Sequence, residues 1–377
     1  MKVLQRYFAT EIIRSVFFVL LAFLALFAFF DLMGELRNVG RGGYRLQHAF
    51  FYVLLGVPGY AYDLMPIAAL IGTIYTLAQF AARSEFTIMR VSSLSTGAAG
   101  LMLLKIGVLF ALLTVIFGEV IAPASASLAE KVKLQARGTP VSQQFRSGFW
   151  TKDVIRENGL SGNVVGTRFL NVGEIRPDGQ LQKVKIYEFD SEFRLSAIVL
   201  ADHANYAGNN RWRLAQVSQT VFPANADPEK PPAPLSVDNR NEKELVSEVT
   251  PDILSVLFSD PDRMSAFDLA AYSNHLAENN QQNKRYEIAL WKKIVYPFAV
   301  FVMMALALPF AYMHVRSGGV SLKIFTGIMI GVAFQLINSL FSHLGLLNTW
   351  PASITAIVPS GLFLMGAIGA LWWVEKH

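Results

Sequence analysis

The sequence predicts an α-helical membrane bundle, with six transmembrane helices arranged three plus three around one inserted all-β, jellyroll-like domain. Three observations carry that reading. Of the 377 residues, 53% are hydrophobic and only 16% charged, with a mean hydropathy of +0.37, a balance that belongs to membrane proteins. Six apolar runs of spanning length flank a polar middle, and 19 of the 33 Lys and Arg fall between Lys131 and Arg285, leaving flanks poor enough in charge to sit in lipid. The middle itself alternates short β-rich runs with turn signals. The chain divides accordingly into residues 1–122 with three spans, 123–284 as the β domain, and 285–377 with the remaining three.

Span one follows Lys2, Arg6 and Arg14 and contains the uncharged run Ser15 to Phe30. With either flank included it reaches the roughly 20 residues that cross a ~30 Å core. A basic start also opens a secretory signal, but the apolar run is long and no A-x-A site follows, so an uncleaved anchor is expected. A polar loop, Gly34 to His48, then carries Arg37, Arg41 and Arg45. The apolar stretch Ala49 to Ala82 would measure about 51 Å as a helix, too long for one straight span. Pro58, Gly59, Asp63 and Pro66 interrupt it, which predicts an interfacial helix over Leu46 to Val57 and span two over Tyr60 to Phe80. Arg83 to Ser95 is a polar connector, and Thr96 to Ile121 is span three, ending at Glu119 and Pro123. Lys105 lies about 12 Å into it, where a lysine either snorkels to the near headgroups or binds a ligand.

In the insert, strands are expected over Phe145 to Lys152, Val164 to Val172, Leu181 to Phe189, Leu195 to Asp202 and Trp212 to Val221. Asn158-Gly159, Asp178-Gly179, Asp190-Ser191 and Gly208-Asn209-Asn210 punctuate them, a rhythm that implies a sandwich or jelly roll. A loop with Pro223, Pro228, Pro231, Pro232 and Pro234 follows, and Glu244 to Thr250 adds one more strand. Ser265 and Asp268 form a capping pair for a helix ending at Glu278. A second helix from about Asn283 enters the membrane past Trp291, Lys292, Lys293 and Tyr296. Ile294 to Met313, Ile324 to Phe341 and Ala352 to Val374 are spans four to six, with Trp350 and Pro351 in the last turn and Trp372 and Trp373 at the final interface.

Orientation comes from the short loops. A cytoplasmic N-terminus places Lys2, Arg6, Arg14, Arg83, Arg90, Arg316, Lys323 and Lys376 inside, against Arg37, Arg41 and Arg45 outside. That bias puts both termini in the cytoplasm and the β domain in the periplasm.

Several chemistries are excluded. The chain has no cysteine, hence no disulfide and no thiolate site. No G-x-x-x-x-G-K-[ST], H-E-x-x-H or G-x-S-x-G occurs, so the chain has no ATPase site of its own and no credible catalytic constellation. The net charge of +5 is dispersed and matches no nucleic-acid module. A membrane sensor would carry a larger cytoplasmic output domain, and a lipid-modifying enzyme would need a clustered acid, base or metal site, for which Asp31, Asp63 and His343 are the only candidates.

Three stretches remain. Ser84 caps a short helix in the connector, with Glu85 in its first turn beside the positive end of the dipole. Phe86, Met89 and Ser93 share one face, flanked by Glu85 and Arg90, and such a helix either docks into a groove on a soluble partner or is an ordinary turn. Arg37, Arg41 and Arg45 form either an anionic headgroup site at the outer mouth of span one or a solvated loop. Asp31 and Asp63 lie near the same depth, and pairing with those arginines would lower the charge offered to a ligand. Gln335, Asn338, Ser342 and His343 give span five a polar stripe, which bonds a neighbouring helix or lines a cavity, while Gly327 and Gly331 allow close helix packing.

The three-plus-three order, the connector Arg83-Ser84-Glu85 through Met89-Arg90, and Gly118-Glu119-Val120-Ile121-Ala122-Pro123 together resemble the LptF/LptG permease family, which extracts lipopolysaccharide from the inner membrane. Phe149-Trp150-Thr151-Lys152-Asp153 and Tyr286-Glu287 through Leu290-Trp291-Lys292-Lys293 match as well, and these segments look closer to the G-type than the F-type subunit. The resemblance spans essentially the whole chain. It implies a heterodimer with an LptF-type permease, an LptB-type ATPase dimer that binds the ATP, and a single-span LptC-type protein passing lipid to a periplasmic bridge. It also implies that residues 83–95 form the coupling helix, with Arg83, Glu85, Phe86, Met89 and Arg90 at the ATPase, and that spans one and five are lateral gates. Arg37 is then the basic residue best placed for lipid A phosphates, in a lipid-binding set with Arg41, Arg45, Asp31 and Asp63.

Overall fold

The computed structural model describes residues 2–91, 95–137, 148–176, 179–223, 235–251, 253–254, 260–278, 281–312, 319–347 and 350–376. The end of the connector at Ser92, Ser93 and Leu94, the start of the first expected strand, Asp178, most of the proline-rich loop, Met313 and Arg316 lie outside the described residues, as does the side chain of Arg90.

Among the described residues, six helices are long and apolar enough to cross a membrane. α1 (Lys2–Leu36) packs along α2 (Leu46–Ala82), the most enclosed of the six. The predicted break in α2 does not occur: one helix of 37 residues, about 55 Å by its rise, runs through Pro58 and Pro66. Inside a helical bundle, neighbours can satisfy the backbone groups that a proline frees. Here the Tyr296 hydroxyl donates to the Asp63 carbonyl, next to the Tyr62 carbonyl that Pro66 deprives of its helical donor.

α3 (Glu85–Val91) is the short connector helix, followed by α4 (Thr96–Ile116), which Ser95 caps with its side-chain oxygen on the Ala98 N–H. Span three does not stop at Ile121. A π-helical turn, Phe117–Ile121, leads directly into α5 (Ala122–Arg137), with Pro123 just past it, where the missing N–H leaves a carbonyl of the preceding turn without its helical donor.

Among the described residues the β domain shows six strands: β1 (Phe149–Asn158), β2 (Ser161–Ile175), β3 (Leu181–Asp190), β4 (Leu195–Gly208), β5 (Arg211–Val221) and β6 (Ser236–Val246). They form one antiparallel sheet in sequential order, in place of the crossed connections of a jelly roll. Its apolar face buries Val172, Val184, Ile186, Val199, Trp212 and Leu214. The sheet curls so that its two ends meet. Arg168 Nε donates to Asp153 Oδ2 at 2.7 Å, the Ser247 hydroxyl donates to the same oxygen at 2.6 Å, and an Arg168 Nη donates to the Val246 carbonyl. Arg156 to Glu248 at 3.0 Å adds a second tie across the seam.

α6 (Ala266–Glu278) starts at the predicted pair, with Asp268 N–H donating to Ser265 Oγ at 3.1 Å and the Ser265 hydroxyl donating to Asp268 at 2.6 Å. α7 (Lys284–Ala307) continues through a 3₁₀ turn, Leu308–Ala311, and is followed by α8 (Val320–Leu347) and α9 (Ala352–Lys376). Gly327 and Gly331 lie against α2: a Cβ on either would stand 2.7 Å from Ile74 or 2.9 Å from Ile67, so small residues set the helix spacing. The main membrane core joins α1, α2, α4 and α7, including Phe8, Ile12, Met65, Leu70, Phe110 and Met303.

Candidate functional site

The two candidate sites lie at opposite ends of the bundle. Near the start of α1, Tyr7 donates its hydroxyl to Glu85 Oε2 at 3.1 Å, and Arg83 Nη1 stands 3.8 Å from Glu85 Oε1. Ser84 sits between α2 and α3 at φ 61°, a left-handed turn that redirects the chain, and its carbonyl accepts from the Ile88 N–H.

The apolar face of α3 points opposite to expectation. Phe86 and Met89 are 2% and 6% exposed and belong to the membrane core, where Phe86 meets Tyr312 edge-on at 5.1 Å. Tyr312 in turn donates to Thr96 Oγ1 at 3.0 Å. Thr87, Ile88 and Val91 form the outward face, with Ile88 64% and Val91 85% exposed. The physical reason is plain: α3 is too short to fold alone and is held by burying its large side chains. Phe86 and Met89 anchor, and the residues between them are presented.

At the other end, Leu36 to Arg45 forms a tight turn in which Gly40 and Gly42 take positive φ and the Gly40 N–H donates to the Tyr44 carbonyl at 2.9 Å. Arg37, Arg41 and Arg45 are all exposed on it, and among the described residues none of the three has an ion pair. Among the described residues, Asp31 and Asp63 do not pair with these arginines. Asp31 accepts from the Tyr60 hydroxyl at 2.7 Å, and Asp63, exposed on α2, is surrounded by the charges of Asp262, Lys292, Arg263 and Lys293.

Sequence reasoning missed the clamp beneath this turn. Glu35 accepts from Lys133 of α5 at 2.6 Å, Asn38 at 3.0 Å and Tyr44 at 3.2 Å, while the Lys133 ammonium lies 4.0 Å from the Tyr52 ring centre. Glu35 and Lys133 are 98 positions apart, so no local pattern reveals them. The same holds for Glu119, in the π turn, which accepts from the Ala266 N–H at 2.8 Å and so caps α6. Both contacts tie the entry to the β domain to the bundle.

The polar stripe of span five bonds its own helix: Ser342 donates to the Asn338 carbonyl at 2.8 Å, and His343 Nδ1 lies 2.9 Å from the Ser339 carbonyl. What α1 and α8 show outward is apolar. Phe18, Leu21 and Phe30 are 72%, 63% and 63% exposed on α1, and Leu336 is 66% exposed on α8, surfaces suited to lipid or another apolar helix.

Known proteins resemble this chain along nearly its whole length. The chain is 30% identical over 366 residues to the lipopolysaccharide export system permease protein LptG of Escherichia coli (strain K12), covering 96% of each chain. It is 28% identical over 372 residues to the protein of the same name from Haemophilus influenzae, covering 98% of this chain and 97% of the relative. The family described as lipopolysaccharide export system permease LptF/LptG matches residues 6–374, and with a match over nearly its whole length this chain belongs to that family.

Proposed function

We propose that this chain is the G-type permease subunit of an ATP-driven lipopolysaccharide exporter, a multi-pass inner-membrane protein with both termini cytoplasmic and its β domain periplasmic. The observation that carries the reading is likeness along the entire chain to permeases named for lipopolysaccharide export, including the segments around α3 and the π turn.

In this reading an LptB-type ATPase dimer binds the nucleotide and receives α3 in a groove. Ile88 and Val91 enter the groove, with Arg83 and Glu85 at its rim. Closure of the ATPase pushes α3, whose buried Phe86 and Met89 pass the displacement into the bundle and whose Glu85 pulls on Tyr7 of α1. The exposed apolar faces of α1 and α8 meet an LptF-type partner and form the gates through which lipid enters. Arg37, Arg41 and Arg45 hold the lipid A phosphates, since guanidinium forks match phosphate oxygens in two-point contacts. Collapse of the cavity moves lipid onto the curled sheet and on to an LptC-type protein. No residue of this chain needs to do covalent chemistry.

Copurification tests the assignment. A tagged chain drawn from its own membrane should bring a nucleotide-binding subunit and a second six-span permease. Ile88→Asp should release the ATPase while keeping the second permease. A chain that comes down alone overturns the transporter reading.

A further inference from the structure

Beside α3, at the same end of the bundle, a cleft of about 320 Å³ opens between α1 and α4. Gln5, Arg6 and Ala9 line it from α1, and Met102, Lys105 and Ile106 from α4. Phe17 of α1 and Phe110 of α4 also meet across these two helices, their rings 5.7 Å apart. Lys105 stands ten residues beyond the Ser95 cap, inside the span.

Each cation alone is explained by snorkelling to the nearest headgroups. Their convergence is not. Arg6 and Lys105 come from different helices into one cleft, no carboxylate lines it, and among the described residues neither has an ion pair. Glu85, the nearest acidic group of α3, is occupied by Tyr7 and Arg83. Two like charges brought together at this depth are costly unless an anion lies between them. The rest of the wall is apolar, and Leu101, Leu104, Val108 and Leu112 continue the Lys105 face of α4 outward, all more than half exposed.

We propose that this cleft is a binding site for an anionic glycerophospholipid from the leaflet at the α3 end of the bundle. Arg6 and Lys105 take its phosphate oxygens, Gln5 hydrogen-bonds the polar headgroup, and an acyl chain lies along Leu104 and Val108. The occupant is a diacyl lipid and not a free phosphate, because the cleft joins its two cations to a continuous apolar strip. Bound there, the lipid fills the seam between α1 and α4 one turn from Tyr7, the residue that holds Glu85.

The test is native mass spectrometry of the full chain, purified from its own membrane with its accompanying subunits and titrated with phosphatidylglycerol or phosphatidylcholine. Phosphatidylglycerol should be retained over phosphatidylcholine. Arg6→Gln with Lys105→Gln should weaken that retention about 30-fold, from two cation contacts of the usual strength at a membrane surface. Arg14→Gln, an exposed arginine of α1 outside the cleft, should leave it unchanged. Equal retention of the two lipids, an unaffected double variant, or an equal loss in Arg14→Gln overturns the assignment. If the double variant does not fold, a photoreactive residue at Met102 of the otherwise wild-type chain decides. Crosslinking to a diazirine-acyl phosphatidylglycerol sustains the site, its absence overturns it, and excess inorganic phosphate should not compete.

Discussion

The seam of the curled sheet offers the sharpest test of how the β domain is held. Asp153 is fully buried and its partner Arg168 is 6% exposed, with the charges 2.7 Å apart and the Ser247 hydroxyl 2.6 Å from the same carboxylate oxygen. Removing the charge in Asp153→Asn leaves a guanidinium in the domain interior with only the Val246 carbonyl and a neutral amide for company. Breaking a buried pair in this way costs about 3–5 kcal/mol, mostly from the stranded charge. For a β domain of this size, that lowers the midpoint of thermal unfolding by about 6–20 °C. Trp212 fluorescence reports it, since the indole sits in the core beneath the sheet and donates to the Val249 carbonyl at 2.7 Å. The paired apolar replacement Asp153→Leu with Arg168→Met should recover most of the loss, because no charge is then buried. A shift under about 2 °C for Asp153→Asn, or a double variant as unstable as the single, would refute the account of the seam as a charge-closed junction.

Other expectations follow from the same geometry. Phe86→Ala should destabilise the α3 junction by about 3–5 kcal/mol as an emptied core position, seen as faster proteolysis near residue 91, whereas Ile88→Asp should leave proteolysis unchanged and abolish ATPase copurification. Tyr7→Phe should keep the ATPase bound but reduce ATP-dependent lipid release, measured in liposomes, since it removes only the hydroxyl on Glu85. Gly118→Ala forces a Cβ to 2.6 Å from the Tyr62 ring and should cost about 1–3 kcal/mol in thermal stability, with Tyr62→Leu in the same chain relieving it. The Asp190 carboxyl is held below its ordinary value of 3.8, first by the Arg194 backbone N–H and then by the Arg194 side chain. A depressed carboxylate contributes stability that is present above 3.8 and disappears as pH falls through the lower folded value. Amide exchange in the β3–β4 hairpin, corrected for intrinsic rate, should therefore rise below pH 4, and Asp190→Asn should flatten that dependence.

The six spans and five of the six strands were legible because each depends on local pattern: runs of apolar residues, or β-rich segments between turn residues. The sequence places β6 too late in the chain because Ser236 to Lys243 is polar apart from Val237, and all but Lys243 are exposed, so alternation gives no signal. The prolines misled for a different reason. Pro58 and Pro66 break an isolated helix, but the packed bundle supplies Tyr296 beside the gap, a donor 233 positions from the carbonyl it serves. Pro123 marks the first turn of α5 and not the end of a span. In α3 the spacing of Phe86 and Met89 identified one face correctly, yet spacing does not say whether that face meets a partner or the chain's own core. Glu35 with Lys133, Glu119 with Ala266, and Tyr7 with Glu85 are tertiary pairs, beyond the reach of any local pattern.

The π turn at Phe117–Ile121 has a consequence for the heading of everything beyond it. A π turn accommodates one extra residue in a helix, and each residue of an α-helix advances the screw by about 100°. Helix α4 keeps its phase against α7, while α5 emerges with a new azimuth that brings Lys133 onto Glu35 and leaves Glu119 facing Ala266. Deleting one residue here would restore a plain helix with nearly unchanged composition and length. It would also swing the face of α5 by about a quarter turn, parting Lys133 from Glu35 and Glu119 from Ala266. One surplus residue thus sets the angle at which the chain leaves the bundle along α5.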